Sequence, residues 1–288
     1  MRILIPGGDG MLGHELLRIL RRKHEVKVTL RLELLAYAGF GIFHSGNAYA
    51  GIDIRDPERL RGPFEDFRPQ AVINAVGVVK QRQDAADSIS SIAINALFPH
   101  QLARLCSDYS CRLVHMSTDC VFSGDRGGYN EGDFTDARDL YGRSKILGEL
   151  HEDHCVTLRT SIIGRELMRR TGLLEWFLAQ KGPVRGYRQA VFSGFTTTEM
   201  ARIIERLLTE HASLIGLYHV ASEPITKYEL LNMVKQEFGL PTEVVADDSV
   251  RINRSLDSSR FRADLDYAPP DWITMIQELR RDIATVTT

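Results

Sequence analysis

Short apolar segments alternate with stretches whose apolar residues recur at helical spacing through the first half of the chain. Arg2–Pro6 is rich in Ile and Leu and stops at two glycines, which is typical of a buried strand. Met11–Arg22 then repeats leucine at helical spacing and carries basic residues at its C-terminal end, which predicts a helix. The alternation continues with predicted strands at Val26–Leu30, Tyr49–Ile54, Ala71–Ala75, Arg112–Met116 and Cys155–Thr160, and with predicted helices at Asp56–Phe67, Ser88–Asp108 and Leu140–Leu150. Because alternating strands and helices build a parallel sheet with right-handed crossovers, we expect a doubly wound α/β fold.

The pattern changes after Thr160, where predicted helices are separated by short strand-like pieces, and no flexible linker marks a boundary. We therefore expect a first domain over residues 1–160 and a smaller, mixed C-terminal domain over residues 161–288, with some segments of the second returning to the first. The predicted helices of this half are Leu173–Gln180, Thr197–His211, Thr226–Phe238 and Trp272–Ala284, and its predicted strands are Leu217–Val220 and Glu243–Ala246.

A glycine-rich turn joins the first predicted strand to the first predicted helix. Residues 7–13 read GGDGMLG, which fits the pattern G-x-x-G-x-x-G. In Rossmann domains such glycines allow the tight turn (Gly7), the approach of a pyrophosphate to the backbone (Gly10) and the packing of helix on strand (Gly13). Free N–H groups at the helix N-terminus, around Met11 and Leu12, would bind the anion. We predict dinucleotide binding, with an ordinary strand–helix turn as the alternative.

The end of the second predicted strand bears on which dinucleotide is bound. Arg31 stands there, and an arginine suits a ribose 2′-phosphate, whereas an acidic residue would bind a 2′-hydroxyl. The sequence therefore favours NADP, with NAD as the alternative because Glu33 follows two residues later. A solvated Arg31 is the other interpretation. Asp53 and Ile54, which close the predicted third strand, are candidates for the edge of an adenine ring.

Small residues follow the fourth predicted strand, and glycine at such a point permits close approach of a ligand to the backbone. The residues concerned are Ala75, Val76 and Gly77. Lys80 and Gln81 come next and are candidates for polar contacts to a substrate. The alternative for this last pair is a solvated loop.

Asn95 lies on the apolar stripe of the predicted helix Ser88–Asp108, together with Ile92, Leu102 and Leu105. An amide buried without partners costs on the order of 1–3 kcal/mol. Asn95 therefore either bonds nearby backbone or belongs to a polar site.

Residues suited to acid–base chemistry surround the fifth predicted strand and the helix after it. Thr118 and Asp119 follow the strand at its carboxyl end, where ligands bind in open α/β sheets. Tyr141 and Lys145 stand four residues apart on the helix, so both can face one pocket. A phenol has a pKa near 10, and a neighbouring ammonium lowers that pKa and makes the tyrosine a usable proton donor. Thr118 would add a second hydrogen bond to the oxygen that receives the proton; the alternative is a pair of surface helix neighbours.

The composition excludes several classes of function. A net charge of −2 provides no strong field toward nucleic acid or an anionic membrane. No apolar run approaches the ~20 residues of a membrane span, and the first apolar residues are too few for a signal peptide. The four cysteines show no Cys-x-x-Cys spacing, so we expect reduced thiols, a cytoplasmic location and no metal site.

Six motifs in order connect the chain with a known family. They are GGDGMLG, STDCVFSG, YGRSKILGE, LRTS at 158–161, GLYHVAS at 216–222 and RINRSLDSSRF at 251–261. With these motifs the chain resembles the extended short-chain dehydrogenase/reductases and, within them, the dTDP-4-dehydrorhamnose reductase group. The resemblance covers essentially the whole length, although residues 31–50 match poorly and Cys120 stands where the family has tyrosine.

The resemblance implies roles for the candidates. Thr118, Tyr141 and Lys145 would be catalytic, and Asn95 would support the lysine through water. Together with Arg31, Met11, Leu12 and Val76, which come from the residue patterns above, the predicted cofactor-binding set is Gly7, Gly10, Met11, Leu12, Gly13, Arg31, Asp53, Ile54, Ala75, Val76, Gly77, Asn95, Tyr141 and Lys145. Thr118, Asp119 and Arg251 would bind the substrate. Lys80 and Gln81 are added to this set from their place after the fourth strand, not from the resemblance. Residues 1–160 would form the NAD(P)-binding domain and residues 161–288 the nucleotide-sugar domain.

The activity implied is NAD(P)H-dependent reduction of a nucleotide-linked 4-keto-6-deoxysugar, with Tyr141 as the proton donor. Two alternatives use the same fold: an epimerase or dehydratase that retains its cofactor, and a non-catalytic regulatory subunit. A generic nucleotide-binding α/β domain would bind without chemistry. The family also offers a homodimer as a possible partner arrangement. We expect Glu15 to be an exposed residue of the first helix, with a dimer contact as the alternative.

Overall fold

The computed structural model describes residues 1–78, 87–168 and 170–286, with no side-chain description for residues 283–286. Its strands are β1 (Arg2–Pro6), β2 (Glu25–Thr29), β3 (Ala48–Tyr49), β4 (Ala71–Asn74), β5 (Arg112–Thr118), β6 (Cys155–Thr160), β7 (Ile162–Ile163), β8 (Val184–Phe192), β9 (Phe195–Thr196), β10 (Gly216–His219), β11 (Ile225–Thr226) and β12 (Val244–Asn253). Its α-helices are α1 (Met11–Leu20), α2 (Arg61–Phe67), α3 (Ser88–Ser91), α4 (Phe98–Asp108), α5 (Leu140–Leu147), α6 (Leu173–Leu178), α7 (Thr197–Thr209), α8 (Lys227–Phe238), α9 (Ser259–Leu265) and α10 (Trp272–Val286).

A seven-stranded sheet has the order β10-β6-β5-β4-β1-β2-β3. β1 pairs in parallel with β2 and β4, β2 pairs in parallel with β3, and β4 pairs in parallel with β5. The order 3-2-1-4-5-6 along the sheet is that of Rossmann dinucleotide-binding folds. Ile3, Leu4 and Ile5 are fully buried, as expected of a strand that helices cover on both faces. The predicted α/β class is confirmed.

The prediction that Glu15 of α1 is an exposed helix residue was wrong. Glu15 is 7% exposed, and its carboxylate accepts a hydrogen bond from Arg18 Nε at 2.9 Å.

Two compact units divide the chain, and they interleave along it. The first contains Met1–Ser117, Arg138–Leu158 and Ala201–Leu217, and the second contains Thr118–Ala137, Arg159–Met200 and Tyr218–Thr288. The assignment of residues 1–160 to cofactor binding and 161–288 to substrate binding stays a prediction. In the part of the chain that the structure describes, no helix is long and apolar enough to cross a membrane.

Residues 31–50 fold differently from expectation. A 3-10 helix, Leu34–Phe40, fills most of this segment, and β3 is only the pair Ala48–Tyr49 instead of the predicted Tyr49–Ile54. Tyr37 is the buried residue of the 3-10 helix. Its hydroxyl accepts the Leu32 N–H at 3.2 Å and donates to Asp9 Oδ2 at 3.1 Å. The segment thus holds an aspartate of the glycine turn.

The helix predicted over Ser88–Asp108 is interrupted by a π-helical turn, Ile92–Leu97, between α3 and α4. A π turn carries i→i+5 hydrogen bonds and therefore shifts the register of the residues after it. Leu102 and Leu105 are buried as predicted, but Ile92 is 49% exposed, so the prediction of one continuous apolar stripe was wrong. The π turn is rare in proteins and frequent at functional sites.

Strand β8 and helix α9 were not predicted, and β12 was predicted only in part. β8 and β12 pair in parallel in a three-stranded sheet of order β11-β8-β12, and β7 pairs with β9 in a two-stranded sheet. β12 carries Asp247 and Asp248, and Val244 is its only buried residue, so its sequence lacks the apolar run of a buried strand. Of this strand, only Glu243–Ala246 had been predicted.

Candidate active site

The glycine turn after β1 has the geometry that its sequence predicts. Gly7 adopts φ +86°, a backbone conformation that residues other than glycine rarely adopt. A Cβ added to Gly13 would lie 2.0 Å from the carbonyl oxygen of Gly7, so α1 can pack on this turn only without a side chain there. The Gly10 N–H donates to Gly7 O at 3.0 Å and closes the turn.

The N-terminus of α1 fits an anionic group. Its N-cap residue, Gly10, makes no side-chain capping bond, and its first turn carries no acidic residue. The first N–H groups of the helix have no acceptor within the helix, and the helix dipole favours negative charge at this end. The Leu12 side chain is buried, which leaves its backbone for a ligand, and Met11 is half-buried. These residues fit the pyrophosphate of a dinucleotide.

The residues predicted to bind the adenosine end lie on loops after β2 and β3. Arg31 is exposed. The Asp53 carboxylate accepts two hydrogen bonds from Arg55 Nε, at 3.0 and 3.1 Å, and the guanidinium lowers the pKa of this carboxyl to about 2. Ile54 packs in the apolar core, so only its backbone is available to a ligand. The sequence analysis missed Arg55, the second arginine of this region.

The loop after β4 lies against the glycine turn. A Cβ added to Gly7 would lie 3.0 Å from Val76 Cγ2 and 3.1 Å from the carbonyl carbon of Ala75. The Val76 N–H donates to the side-chain oxygen of Asn74 at 3.1 Å. A Cβ added to Gly77 would lie 3.7 Å from Asn95 Oδ1. Ala75 and Val76 therefore meet the glycine turn where the coenzyme is predicted to bind, and Gly77 lies beside Asn95.

Asn95, inside the π turn, bonds the backbone of this same loop. Its Oδ1 accepts the Val78 N–H at 2.9 Å, and its amide donates to Val78 O at 3.0 Å and to Ser144 Oγ at 3.2 Å. Ser144 Oγ in turn donates to Tyr141 O at 2.9 Å. The two interpretations of Asn95 therefore merge, because the backbone that it bonds belongs to the candidate site. Its link to Lys145 through water stays a prediction.

The π turn also creates a close contact with the end of α5. A Cβ added to Gly148 would lie 2.0 Å from the Asn95 carbonyl oxygen. Pro99 has no N–H, so the Asn95 carbonyl cannot accept the bond from residue i+4 that a regular α-helix would form. Gly148 thus lets α5 approach the π turn closely.

Asn74 and His115 form a buried polar pair that the sequence analysis missed. Both residues are fully buried, and Asn74 Nδ2 lies 3.1 Å from His115 Nδ1. Burial, together with the charge of Lys145, holds the pKa of His115 well below its usual value. A neutral imidazole at this place accepts from Asn74, which also fixes Val76. Each residue ends or lies within an apolar strand, so its sequence gave no signal of a polar role.

Lys145 is buried in α5 and reaches back to β5. Its side chain is 4% exposed in relative terms, and Nζ donates to the Met116 carbonyl at 2.6 Å. Burial lowers the pKa of this ammonium to about 8, against an opposing effect of Glu149. Tyr141 is half-buried in the first turn of the same helix, which Asp139 caps by accepting the Gly142 N–H at 2.8 Å. A buried lysine one turn from a tyrosine is unlike a pair of solvated helix neighbours.

In the second unit, Thr118 ends β5 and is buried beside Asp119. Thr118 Oγ1 accepts the Cys120 N–H at 3.1 Å and donates to Asp119 Oδ1 at 3.2 Å. Asp119 Oδ2 accepts from Ser161 Oγ at 3.0 Å. Burial raises the pKa of Asp119, and the hydrogen bonds to its carboxylate and the charge of Arg254 act in the opposite direction. The predicted substrate role of Asp119 stays a prediction; the contacts observed are those that orient Thr118.

Two arginines lie at the end of the second unit's long edge strand. Arg251, predicted to bind substrate, is exposed on β12 and pairs in register with Gln189. Arg254 was not predicted as a site residue. Its Nε donates to Phe122 O at 2.8 Å, and its positive charge acts to lower the pKa of Asp119. The positions of Arg251 and Arg254 in the sequence do not show which of the two faces the candidate site. Lys80 and Gln81 lie outside the described residues. Within those residues, no group of three or more His, Cys, Asp or Glu could hold a metal ion.

Comparisons with known proteins find relatives over nearly the whole chain. A family model described as the RmlD substrate binding domain matches residues 1–283. A solved structure of a hypothetical dTDP-4-dehydrorhamnose reductase from Sulfolobus tokodaii is 30% identical, has a TM-score of 0.73, and covers 91% of this chain and 94% of its own. A dTDP-4-dehydrorhamnose reductase from Bacillus anthracis, solved in complex with NADP, is 20% identical with a TM-score of 0.80 over 98% of this chain and 99% of its own.

A relative of a different kind is methionine adenosyltransferase 2 subunit beta from Danio rerio, which is 27% identical over 259 residues, 84% of this chain and 75% of that protein. The family that the sequence motifs resemble is confirmed by the model match over nearly the full length and by the 30% identical structure. The chain belongs to the RmlD substrate binding domain family.

Proposed function

We propose that the protein is an NADPH-dependent reductase of a nucleotide-linked 4-keto-6-deoxysugar, similar to the dTDP-4-dehydrorhamnose reductases. The observation that carries the proposal is the buried Lys145, one helical turn from Tyr141 in the unit that contains the glycine turn. Burying an ammonium is costly, and perturbed lysines of this kind are concentrated at functional sites. A protein that only binds a nucleotide has no need of this pair.

The side chains divide the work as follows. Bound NADPH supplies the hydride for the keto carbon. Tyr141 donates the proton that the carbonyl oxygen acquires, and the Lys145 charge stabilises the phenolate that remains. Thr118, whose hydroxyl proton is now held by Asp119, is proposed to turn that proton to the carbonyl oxygen. Loss of one such donor typically costs ~10²–10³ in rate.

The preference for NADPH over NADH rests on the residues after β2. Arg31 is exposed where a 2′-phosphate would be bound, and the carboxylate of Asp53 is already paired with Arg55. The Bacillus anthracis relative was solved with NADP. We therefore expect a lower KM for NADPH than for NADH, and Arg31→Ala should remove most of that difference.

The direct test is NADPH oxidation by the purified protein with a panel of dTDP- and UDP-linked 4-keto sugars. We expect one molecule of NADPH to be consumed for each keto sugar reduced, and NADP⁺ to be released. Conversion of a sugar without net NADPH consumption would instead indicate an epimerase or dehydratase. Absence of any conversion across the panel would contradict the proposal.

The second candidate function is that of a non-catalytic regulatory subunit, which the similarity to the Danio rerio subunit beta favours. Such a subunit would bind a nucleotide and a partner enzyme without turnover. Copurification with an unrelated enzyme, together with no NADPH oxidation, would support this candidate over the reductase. A homodimer and a cytoplasmic location are further parts of the proposal, and sedimentation and cell fractionation would test them.

The reductase should lose activity as the pH rises through about 8. Burial lowers the pKa of Lys145 to about 8, so its ammonium is present below that pH and lost above it. Reduction needs the charged lysine and the protonated tyrosine, so kcat/KM for NADPH should be level at lower pH and fall about tenfold per unit above. This ratio reports groups of the free enzyme. A profile level up to pH ~10, the usual pKa region of lysine, would contradict the assignment.

A further inference from the structure

Two adjacent residues of β5 form hydrogen bonds with the helical segment that carries Tyr141 and Lys145. The Met116 carbonyl accepts from Lys145 Nζ at 2.6 Å, and the next residue, Ser117, donates from Oγ to Glu149 Oε1 at 2.7 Å. Lys145 and Glu149 stand four residues apart, just as Tyr141 and Lys145 do. The end of β5 therefore bonds two positions of this segment that lie one helical turn apart.

Glu149 is an unusual residue for this place. It is 7% exposed, follows the end of α5, and lies close enough to Lys145 for its charge to favour the ammonium. A carboxylate is rarely buried unless it is paired or hydrogen-bonded, and here a serine hydroxyl and an ammonium are both at hand. A solvated surface carboxylate would have no comparable effect.

Among the residues that the structure describes, Glu149 is the negatively charged group that acts on Lys145. The other titratable neighbour is His115 of β5, whose pKa the charges of Lys145 and of His100 from α4 both lower. His115 is fully buried, with its pKa far below the usual value, so it is neutral at physiological pH. Asn95, from the π turn, contributes an uncharged amide that bonds Ser144.

We propose that Glu149, held by Ser117, is a positioning residue that keeps the Lys145 ammonium charged and directed at the end of β5. It touches neither the coenzyme nor the reacting carbonyl in this role and acts through the lysine. The proposal rests on the proposed function for its catalytic meaning, but the effect on Lys145 itself can be measured without turnover.

The test compares three variants that separate charge from hydrogen bonding. Glu149→Gln keeps an acceptor for Ser117 and removes the charge, Glu149→Asp keeps the charge on a shorter side chain, and Ser117→Ala keeps both charges and removes the hydrogen bond. The ε-carbon of Lys145 is titrated by NMR in protein labelled with ¹³C-lysine, and its signal is assigned by its loss in Lys145→Arg. The pH profile of kcat/KM for NADPH is recorded in parallel.

We expect Glu149→Gln to move the Lys145 titration midpoint, and the alkaline limb of kcat/KM with it, to lower pH by about one unit. Glu149→Asp, which keeps the negative charge, should show a Lys145 midpoint close to that of the wild type. A folded Glu149→Gln protein with an unchanged midpoint would overturn the proposal, since a merely structural glutamate would affect stability alone. Where Glu149→Gln does not fold, Ser117→Ala decides: a smaller shift in the same direction supports the proposal, and no shift overturns it.

Failure of the proposed function would look different. A wild-type protein that reduces no keto-sugar nucleotide would overturn the reductase assignment, while the NMR titration would still report whether Glu149 controls Lys145. An active enzyme whose Lys145 midpoint ignores Glu149 would overturn the present proposal alone.

Discussion

Tyr141→Phe should lower kcat for NADPH-dependent reduction by ~10²–10³ while leaving NADPH affinity near that of the wild type. The substitution removes one oxygen and the proton that it donates, and it keeps the ring that packs in the first turn of α5. The measurements are kcat with the best substrate of the keto-sugar panel and NADPH binding by fluorescence titration.

A matched control is Tyr109→Phe, which also removes one phenol oxygen. The Tyr109 hydroxyl bonds Glu65 at 3.4 Å, a contact unconnected with Lys145, so this variant should keep wild-type turnover. Equal turnover in Tyr141→Phe and the wild type would remove Tyr141 from the mechanism. Parallel losses in both variants would point to a general effect of tyrosine replacement.

Gly13→Ala should destabilise the protein and impair coenzyme binding together. The added Cβ would lie 2.0 Å from Gly7 O, a backbone atom that cannot rotate away, so the turn or α1 must shift. Overpacking of this kind costs about 2–3 kcal/mol, which corresponds to a fall in Tm of roughly 5–10 °C. Because the shifted turn is the proposed pyrophosphate site, Kd for NADPH should rise at least ~10-fold, or ~1.4 kcal/mol.

Gly39→Ala provides the matched control, because a Cβ at Gly39 meets nothing within 4 Å. This residue lies in the 3-10 helix Leu34–Phe40, and the same substitution there should leave Tm and Kd near the wild-type values. Differential scanning calorimetry and fluorescence titration on both variants give the comparison. If Gly13→Ala bound NADPH as tightly as Gly39→Ala does, the glycine turn would not be the coenzyme site.

Local signals made the first half of the fold predictable. The bounds of β1 and β6 match those predicted, and β1 is an apolar run that ends abruptly at two glycines. The role of Gly13 follows from a strand, a turn and a helix that are adjacent in sequence. The family resemblance, carried by whole motifs, was likewise confirmed. What these signals share is that the residues involved are neighbours along the chain.

The features that the sequence did not reveal depend on contacts distant along the chain. His115 was read as part of an apolar strand, and only its pairing with Asn74, 41 residues away, gives it a polar role. Tyr37 reaches Asp9 across 28 residues from a segment without clear periodicity. Strand β12 is polar because it is exposed, so hydrophobic patterning could not find its full extent.

The π turn carries a consequence for any change in chain length. An α-helix rotates by about 100° per residue, so removing one residue from Ile92–Leu97 would let α3 run into α4 as a regular helix and would rotate one part against the other by that angle. The Asn95 amide would then leave Val78, although its identity was untouched. The number of residues in the π turn thus sets the rotation of α3 relative to α4 about the helix axis. A deletion here would harm the protein more than most substitutions would.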